Sequence, residues 1–576
     1  MTAERLSFSG ARWVHSPADP AHVAQLRRDQ GLSRVAASVL AARIGDLGRA
    51  GAWLTPSLEH LHAPGAMLGM APAVDLVRRT VRDRKKIRII TDYDVDGTTS
   101  SLILQAALRL LDPAVDVSYH IPSRFGEGYG FSGIAAEKAV NDGVGLIVTA
   151  DIGVRDHRSV STARTGGVEV LVCDHHLPAG EAVPADATVL CPPQAGDTYP
   201  NRALAACGVS LKLAEALLGH LPRWTQYQAS MLKLAAIGTV ADMVPLTTLE
   251  NRAIVALGIG HLNRGPHHPG LAALLQVAGL SAIRESDIGY RIAPRINAAG
   301  RIAEADLVIR LLTERDPARA QELAQQLDAH NRDRKDIQLR LQGEALRAVG
   351  PTPSSFVVVA GREEDGWHRG VCGIVANKVR EAVNRPAAVV SVQGEFAVGS
   401  IRSVPGVHAV RALETIADLL VKFGGHPMAA GFTLPVVHLE AFRERLIRFV
   451  DNTLPDADWC PTQPVDAEVD VGDLGEELFR ELRALAPFGM GNAEPNLLIQ
   501  GVRATGVRAL GAEGKLLRFD LQNHGQPLSA VWFGHGEHAA QLSPPIDVLG
   551  RLEEDQWKGE RRLQVNVVDL RLAAPS

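Results

Sequence analysis

The chain has 576 residues, 46% hydrophobic and 22% charged, which places it with globular proteins and excludes a wholly disordered or collagen-like chain. At about 150 residues per domain, three or four domains are expected. Lysine and arginine total 60 against 65 acids, a net charge of −5, which excludes nucleic-acid binding through bulk positive charge but not through a local basic groove.

No apolar run reaches the length of about 18 residues that a membrane span needs. Met1–Pro17 lacks the basic start, apolar core and small-residue cleavage site of a secretory signal. Five cysteines (Cys173, Cys191, Cys207, Cys372 and Cys460) show no CxxC spacing. That pattern predicts a reducing, cytoplasmic setting with neither disulfides nor zinc knuckles.

Residues 1–70 read as a helical and mixed segment without a chemical motif. The basic cluster Arg78, Arg79, Arg82, Arg84, Lys85 and Lys86 reads most simply as a solvated helix face. It precedes a β-branched run, Ile87–Thr91. Val115–Ile121, Gly145–Thr149 and Val168–Cys173 are further strand candidates, and their alternation with helical patterns predicts a parallel α/β sheet within residues 71–315. Helices are expected at 202–222 and 228–241, and a long charged one over 316–349. A second α/β lobe spans 350–455, with strands from Ser354, at Ala387–Val392 and at Phe396–Ile401, and helices at Val407–Val421 and His438–Val450. Pro455–Pro464 is a linker by composition. Residues 460–576 read as all-β, with strands at Leu497–Thr505, Leu516–Leu521, Leu528–Phe533, Ile546–Leu552 and Arg561–Leu570. That count suits an OB-type barrel, a common single-strand-binding platform. The expected fold class is therefore α/β: two lobes joined by a long helix, plus a C-terminal barrel.

The chemistry lies in acids at strand ends, where open parallel sheets gather their ligands. DYDVDG delivers Asp92, Asp94 and Asp96 on a turn closed by Gly97. Asp151 follows the second strand, Asp174-His175-His176 the third, and Asp242 sits in TVADMVPL. Clustered carboxylates repel one another unless cations sit among them. Oxygen donors with one or two imidazoles suit Mn²⁺ or Mg²⁺, and one shared carboxylate can hold two ions for in-line displacement at phosphorus. Taken singly these features are ambiguous. Asp151 and Asp242 are each compatible with a helix cap. A calcium loop would need a glutamate where Ile103 stands. The joint occurrence, in this order, carries the metal reading.

The stretches TDYDVDGTTS, PSRFGEGYG, CDHH, GTVADMVPL, RIAPRINAAGR, WHRGVCGIVANKV, GSIRSVPG, GGHPMAAGF and APFGMGNAEP occur over about residues 30–570. In them the chain resembles the DHH phosphoesterase family, and within it the single-strand-specific exonucleases that add a DHHA1 domain. The resemblance implies 5′-to-3′ degradation of single-stranded DNA to 5′-mononucleotides, with two Mn²⁺ or Mg²⁺ ions, in recombination and repair. It implies Asp94, Asp96, Asp151, His175 and Asp242 as metal ligands, with Asp151 bridging. Asp92 becomes an extra ligand or hydrogen-bonding neighbour. His176 is expected to touch the scissile phosphate as a donor or proton shuttle, so that Asp151, His176 and Asp92 are the catalytic candidates. Arg301, Ser400 and Arg402 are implied to hold a terminal 5′ phosphate, Gly424, Gly425 and His426 to lie near the substrate, and Arg295 and Asn297 to contact the strand. Phe533, Trp532 and Trp557 are candidates for base stacking or for the barrel core. A helicase and a single-strand-binding protein are implied partners of a monomer.

Three departures stand out. Ile152 follows Asp151 where the family usually has Asn, Cys or Thr; Ile90 precedes Asp94 by four residues where relatives often place His; and CPPQAGD from Cys191 replaces an Asn-Pro opening. A phosphodiesterase for short oligonucleotides or cyclic dinucleotides would need only the two lobes. A non-catalytic scaffold would be expected to lose the carboxylates.

Overall fold

In this computed structural model residues 6–122, 130–178, 180, 182–302, 306–522, 527–557 and 560–574 are described; most of the PSRFGEGYG stretch lies outside them. The chain divides into two compact units. The first comprises Met1–Gly300, Ala305–Ala324 and Thr462–Ser576, and the second Arg301–Glu304 with Gln325–Pro461. The expected long helix is Pro317–Val349.

Within the first unit the β-branched runs pair as a fully parallel sheet. Its order is Val117–His120, Lys86–Thr91, Val144–Ala150, Glu169–Cys173, Thr188–Leu190. Thr188–Leu190 was not anticipated, being too short to show a pattern. The central three strands are buried along almost their whole length, as expected when helices cover both faces of a parallel sheet. Their carboxyl ends lie side by side, so Asp92, Asp151 and Asp174 emerge at one edge. Arg78, Arg79 and Arg82 occupy the exposed face of the helix Met70–Arg82, whose Ala73, Leu76, Val77 and Val81 point into the core. The solvated-face reading of that cluster describes what is seen.

The C-terminal strands are Leu497–Leu510, Leu516–Gln522, Leu528–Phe533, Ile546–Trp557 and Glu560–Leu572. Pairing of the first with the fourth closes the barrel. The linker assignment needs correction. Thr462–Val465 is a strand, paired in parallel with Arg12–His15. Its partner is far away in sequence, so composition alone could not show it. The N-terminal helices share one core with the barrel, in which Val35, Leu40 and Trp53 join Phe479, Leu497 and Phe519.

The second unit holds a mixed sheet ordered Lys422–His426, Ala429–Pro435, Phe396–Arg402, Ala387–Gln393, Val357–Arg362, with only the last pair parallel. The helix expected over Val407–Val421 is shorter, Ala409–Glu414, and is followed by a 3₁₀ turn at Ala417–Leu419. Beyond it Ile416, Leu419 and Leu420 pack against the core of this unit, and Val421 N donates to Thr433 O of the sheet at 2.8 Å.

Arg252 is fully buried and ties the first unit together. Its Nη2 donates to Trp53 O at 2.9 Å, Leu485 O at 3.2 Å and Ala486 O at 2.9 Å, and its guanidinium lies 4.0 Å from the Trp53 ring centroid. Arg252→Met would leave these carbonyls without their donor in a water-poor interior. We expect a loss on the order of 3–5 kcal/mol, read as a lower urea midpoint. A change under about 1 kcal/mol would show that water or a neighbour replaces the guanidinium.

Candidate active site

Each acid at the sheet edge is held by a different local device. Asp94 is the N-cap of the helix Val95–Leu111, and its Oδ1 accepts from Gly97 N at 3.0 Å. Asp96 sits at the start of the helix Ala206–Leu218, which has no side-chain cap from its own N-cap residue. Asp96 Oδ2 accepts from Ala206 N at 2.8 Å and its Oδ1 from Cys207 N at 2.9 Å. The positive end of that helix therefore faces a carboxylate. Gly238, on the helix Trp224–Ala241, permits this approach, since a Cβ there would lie 2.8 Å from Asp96 Oδ1.

Asp151 caps no helix. The next one, His157–Thr165, has Asp156 at its N-cap position. Asp151 instead occupies a left-handed conformation with φ 67°, its N–H donating to Cys173 O at 2.9 Å. Asp242 is the C-cap residue of Trp224–Ala241, and the following Met243 also has positive φ, 58°. Such conformations cost of order 1–3 kcal/mol and persist where surrounding structure enforces them. Both fall at or beside acids of this cluster.

The side chains converge. His175 Nε2 stands 3.2 Å from Asp151 Oδ1, 3.5 Å from Asp242 Oδ2 and 3.9 Å from Asp96 Oδ2. Donor atoms of Asp96, His175 and Asp242 form one close group, those of Asp92, Asp94 and Asp151 a second, and those of Asp151, His175 and His176 a third. Asp151 thus belongs to two of the three groups and adjoins the other through His175. Asp151 Oδ1 and His175 Nε2 are buried and have no hydrogen-bond partner. Neighbouring donors on an octahedral ion with bonds of about 2.1 Å are separated by about 3 Å. Two facing, unpartnered donors at 3.2 Å therefore fit a divalent cation. The oxygen-rich donor set suits Mn²⁺ or Mg²⁺.

Electrostatics point the same way. Burial, then the charges of Asp94, Asp96, Asp242 and Asp92, push the Asp151 carboxyl well above its usual range. Burial and Asp96 raise Asp94 likewise. Burial, Asp96 and Asp94 push Asp242 up to about 9. Burial lowers the pKa of His175, which keeps a metal-competent neutral imidazole. His176 behaves oppositely. Burial acts to lower its pKa, but the Asp174 hydrogen bond and charge prevail and raise it to about 9.

Asp174 is the residue whose role the motif reading underestimated. Its Oδ2 accepts from Val154 N at 3.0 Å, and its Oδ1 from His175 N at 2.7 Å, His176 N at 3.1 Å and His176 Nδ1 at 2.7 Å. It orients both histidines and is itself outside the donor groups. Only its place beside them in the triplet hinted at this. Ile90 and Ile152 are buried in an apolar cluster behind the site.

Arg295 and Asn297 lie on the helix Ala293–Ile302, partly exposed. A Cβ at Gly300 on that helix would lie 3.0 Å from Tyr93 O, so the helix packs against the Asp92–Asp94 turn. Arg295 itself donates to Arg291 O at 2.6 Å.

In the second unit Arg301, Ser400 and Arg402 gather around the start of the helix Cys372–Val383, which has no side-chain cap. Arg301 Nη1 donates to Gly370 O at 3.1 Å. A Cβ at Gly373 would lie 2.9 Å from Arg402 Nη2 and 3.4 Å from Ser400 Oγ. Two guanidinium groups and a hydroxyl converging at one helix start make an arrangement suited to an anion. Register places Ser400, Gly431 and Gly424 in one row, and Arg402, Ala429 and His426 in the next. Gly424 and His426 therefore share a sheet face with Ser400 and Arg402, on an exposed edge strand. Gly425 has φ 146° and approaches Ala429 O too closely to carry a Cβ.

Trp532 is buried, stacked 3.9 Å from the His535 ring, and belongs to the barrel core. Phe533 is 63% exposed. The Trp557 side chain lies outside the described residues.

Three family models match the chain: the N-terminal domain of the DHH family over residues 86–239, the DHHA1 domain over 354–452, and the RecJ OB domain over 465–569. The single-stranded-DNA-specific exonuclease RecJ of Bacillus subtilis strain 168 is 35% identical over 570 residues, covering 97% of this chain and 71% of that protein. The crystal structure of Thermus thermophilus RecJ with Mn²⁺ superposes with a TM-score of 0.83 at 31% identity, covering 98% of this chain and 80% of that one. The Mg²⁺ complex gives 0.77 at 30% identity, covering 98% and 79%.

Asp242 (about 9 when folded, against 3.8) and His176 (about 9, against 6.5) both leave the folded, metal-free chain holding more protons than the unfolded chain. Its stability must then fall as pH rises from about 6 to 9. We expect the thermal midpoint to decline across that window and Mn²⁺ to remove the slope. A flat or rising midpoint without metal would contradict the crowding.

Proposed function

The chain belongs to the RecJ family of single-stranded-DNA-specific exonucleases, and on that premise we propose that it degrades single-stranded DNA from the 5′ end, releasing 5′-mononucleotides, with Mn²⁺ or Mg²⁺ as cofactor. The observation that carries this reading is the facing, buried and unpartnered pair Asp151 Oδ1 and His175 Nε2, surrounded by further carboxylates.

Asp94, Asp96, Asp151, His175 and Asp242 would hold two ions, with Asp151 shared and Asp92 supplying a further oxygen. Ions held there would supply acidification of water and offset charge on the attacking and leaving oxygens. His176, kept cationic at neutral pH by Asp174, supplies a fixed charge and donor to a phosphate oxygen. Arg301, Ser400, Arg402 and the start of the helix Cys372–Val383 hold the terminal 5′ phosphate, which sets the direction of degradation. Gly424 and Gly425 allow the strand's backbone to approach, and His426 donates to it. Arg295 and Asn297 hold the strand beside the Asp92–Asp94 turn. The barrel binds the strand farther from the scissile bond, Phe533 being its exposed aromatic platform. Affinity for the strand falls with salt as phosphate contacts are screened.

The biological setting of this reading is recombination and repair in the cytoplasm, by a monomer working with a helicase and a single-strand-binding protein. Five free cysteines support a reducing compartment. No helix among the described residues is long and apolar enough to cross a membrane.

A long single strand labelled at either end tests direction. The 5′ label should appear at once as mononucleotide, while the 3′-labelled strand shortens stepwise and matching duplex is spared. Release from the 3′ label first would overturn the polarity. Asp151→Ala should lower turnover by about 10³-fold or more with strand binding retained; near-normal turnover at saturating Mn²⁺ would refute its shared-ligand role. Arg402→Ala should cut the preference for 5′-phosphorylated over 5′-hydroxyl ends by about 10-fold or more, the worth of a charged hydrogen bond. An unchanged ratio would remove Arg402 from the phosphate site.

A further inference from the structure

The barrel carries a second cluster of ligating side chains outside the carboxylate centre. The segment GHGEH places His535, Glu537 and His538 together, one ligating atom of each lying within 4.8 Å of the others. Glu537 Oε1 is 3.7 Å from His535 Nδ1 and 3.6 Å from His538 Nε2. Donors around a tetrahedral ion with bonds of about 2.0–2.1 Å lie about 3.3 Å apart, so shifts of a few tenths of an ångström would bring both pairs to that spacing.

Three further observations favour a metal. His535 Nδ1 is buried with no hydrogen-bond partner. His538 Nδ1 pairs with Gln541 Oε1 at 2.9 Å, which makes Nδ1 the donor and leaves the lone pair on Nε2, toward Glu537. The rings are also locked in place: His535 stacks on Trp532 at 3.9 Å, and His538 lies 5.3 Å from Trp532 and 5.2 Å from Phe8. Stacking explains the position of the rings, but not why two imidazole nitrogens face one exposed carboxylate. Two nitrogens and one oxygen suit Zn²⁺ better than Mg²⁺.

We propose that His535, Glu537 and His538 form a Zn²⁺-class site in the barrel, which fixes the His538 ring on which the N-terminal segment packs. Phe8 comes from that segment and packs on His538. The same segment is held by its strand pairing with Thr462–Val465, by Ser9 Oγ to Asp569 Oδ2 at 2.8 Å, by Phe8 N to Leu570 O at 2.8 Å and by Trp13 Nε1 to Asp569 Oδ2 at 3.0 Å. The ion would have three protein donors and one position open to water.

The test uses the full chain with Asp151→Ala, His175→Ala and Asp242→Ala, which removes from the carboxylate centre its shared acid, its facing imidazole and a third ligand. After equilibration with Zn²⁺ and dialysis against buffered micromolar Zn²⁺, this parent should retain one zinc through the GHGEH segment, with millimolar Mg²⁺ unable to displace it. Zinc should raise its thermal midpoint and slow proteolysis before Ser33. Adding Glu537→Gln, at a residue whose side chain is 62% exposed and so dispensable for folding, should weaken retention about tenfold or more. Adding His538→Gln should abolish it. No retained zinc in the parent, or equal retention after Glu537→Gln in a chain folded by circular dichroism, would overturn the site.

Discussion

Asp94, Asp96, Asp151 and Asp242 are crowded at one sheet edge, where burial and neighbouring charge raise the carboxyls of Asp94, Asp151 and Asp242, and that constraint organises the first unit. Each acid is fixed by a backbone feature formed elsewhere: a helix start for Asp94, another helix's start for Asp96, a left-handed residue for Asp151 and a helix end for Asp242. The cost of assembly appears as raised pKa values and positive φ angles. Cations offset it, so the energy that destabilises the metal-free centre is the same energy that gives it affinity for metal.

The same physics separates the acids by role. Asp151 and Asp174 both follow central strands and both are buried. Asp174 receives three backbone N–H groups and the His176 ring; burial acts to raise its carboxyl, but the His176 hydrogen bond and charge, then His175 and the Val154 N–H, hold it well below the usual range. Asp151 Oδ1 receives none. One carboxylate is satisfied by protein and becomes a support, while the other is left for a cation. Helix N-termini divide similarly. The one at Ala206 is occupied by Asp96, whereas the one at Cys372 has no side-chain cap and is flanked by Arg301 and Arg402.

The ends of the first unit's chain are bound into a single body. The N-terminal strand pairs with the strand that leads into the barrel, and the helices that follow it share the barrel's core. Arg252, from between them in sequence, bonds carbonyls on both sides. A metal held by His535, Glu537 and His538 would fix the ring on which Phe8 packs at the same junction.

Much of this was legible in the order of residues. Strand ends followed by acids declare themselves because a buried parallel strand is a continuous apolar run and the acid marks where it leaves the core. The parallel sheet, the long helix, the barrel strands and the candidate ligands follow from that periodicity and from the family's motifs. Other features depend on partners hundreds of residues apart. No local pattern tells that Thr462–Val465 pairs with Arg12–His15, that Arg252 meets Leu485, or that Arg301 and Arg402 meet at one helix start. Nor could spacing separate Asp151 from a helix cap or reveal Asp174 as the support of His176. Sequence determined which groups were available for chemistry. Tertiary structure decided which of them were satisfied by backbone hydrogen bonds and which were left facing one another, because only folding removes the water that would otherwise satisfy them all.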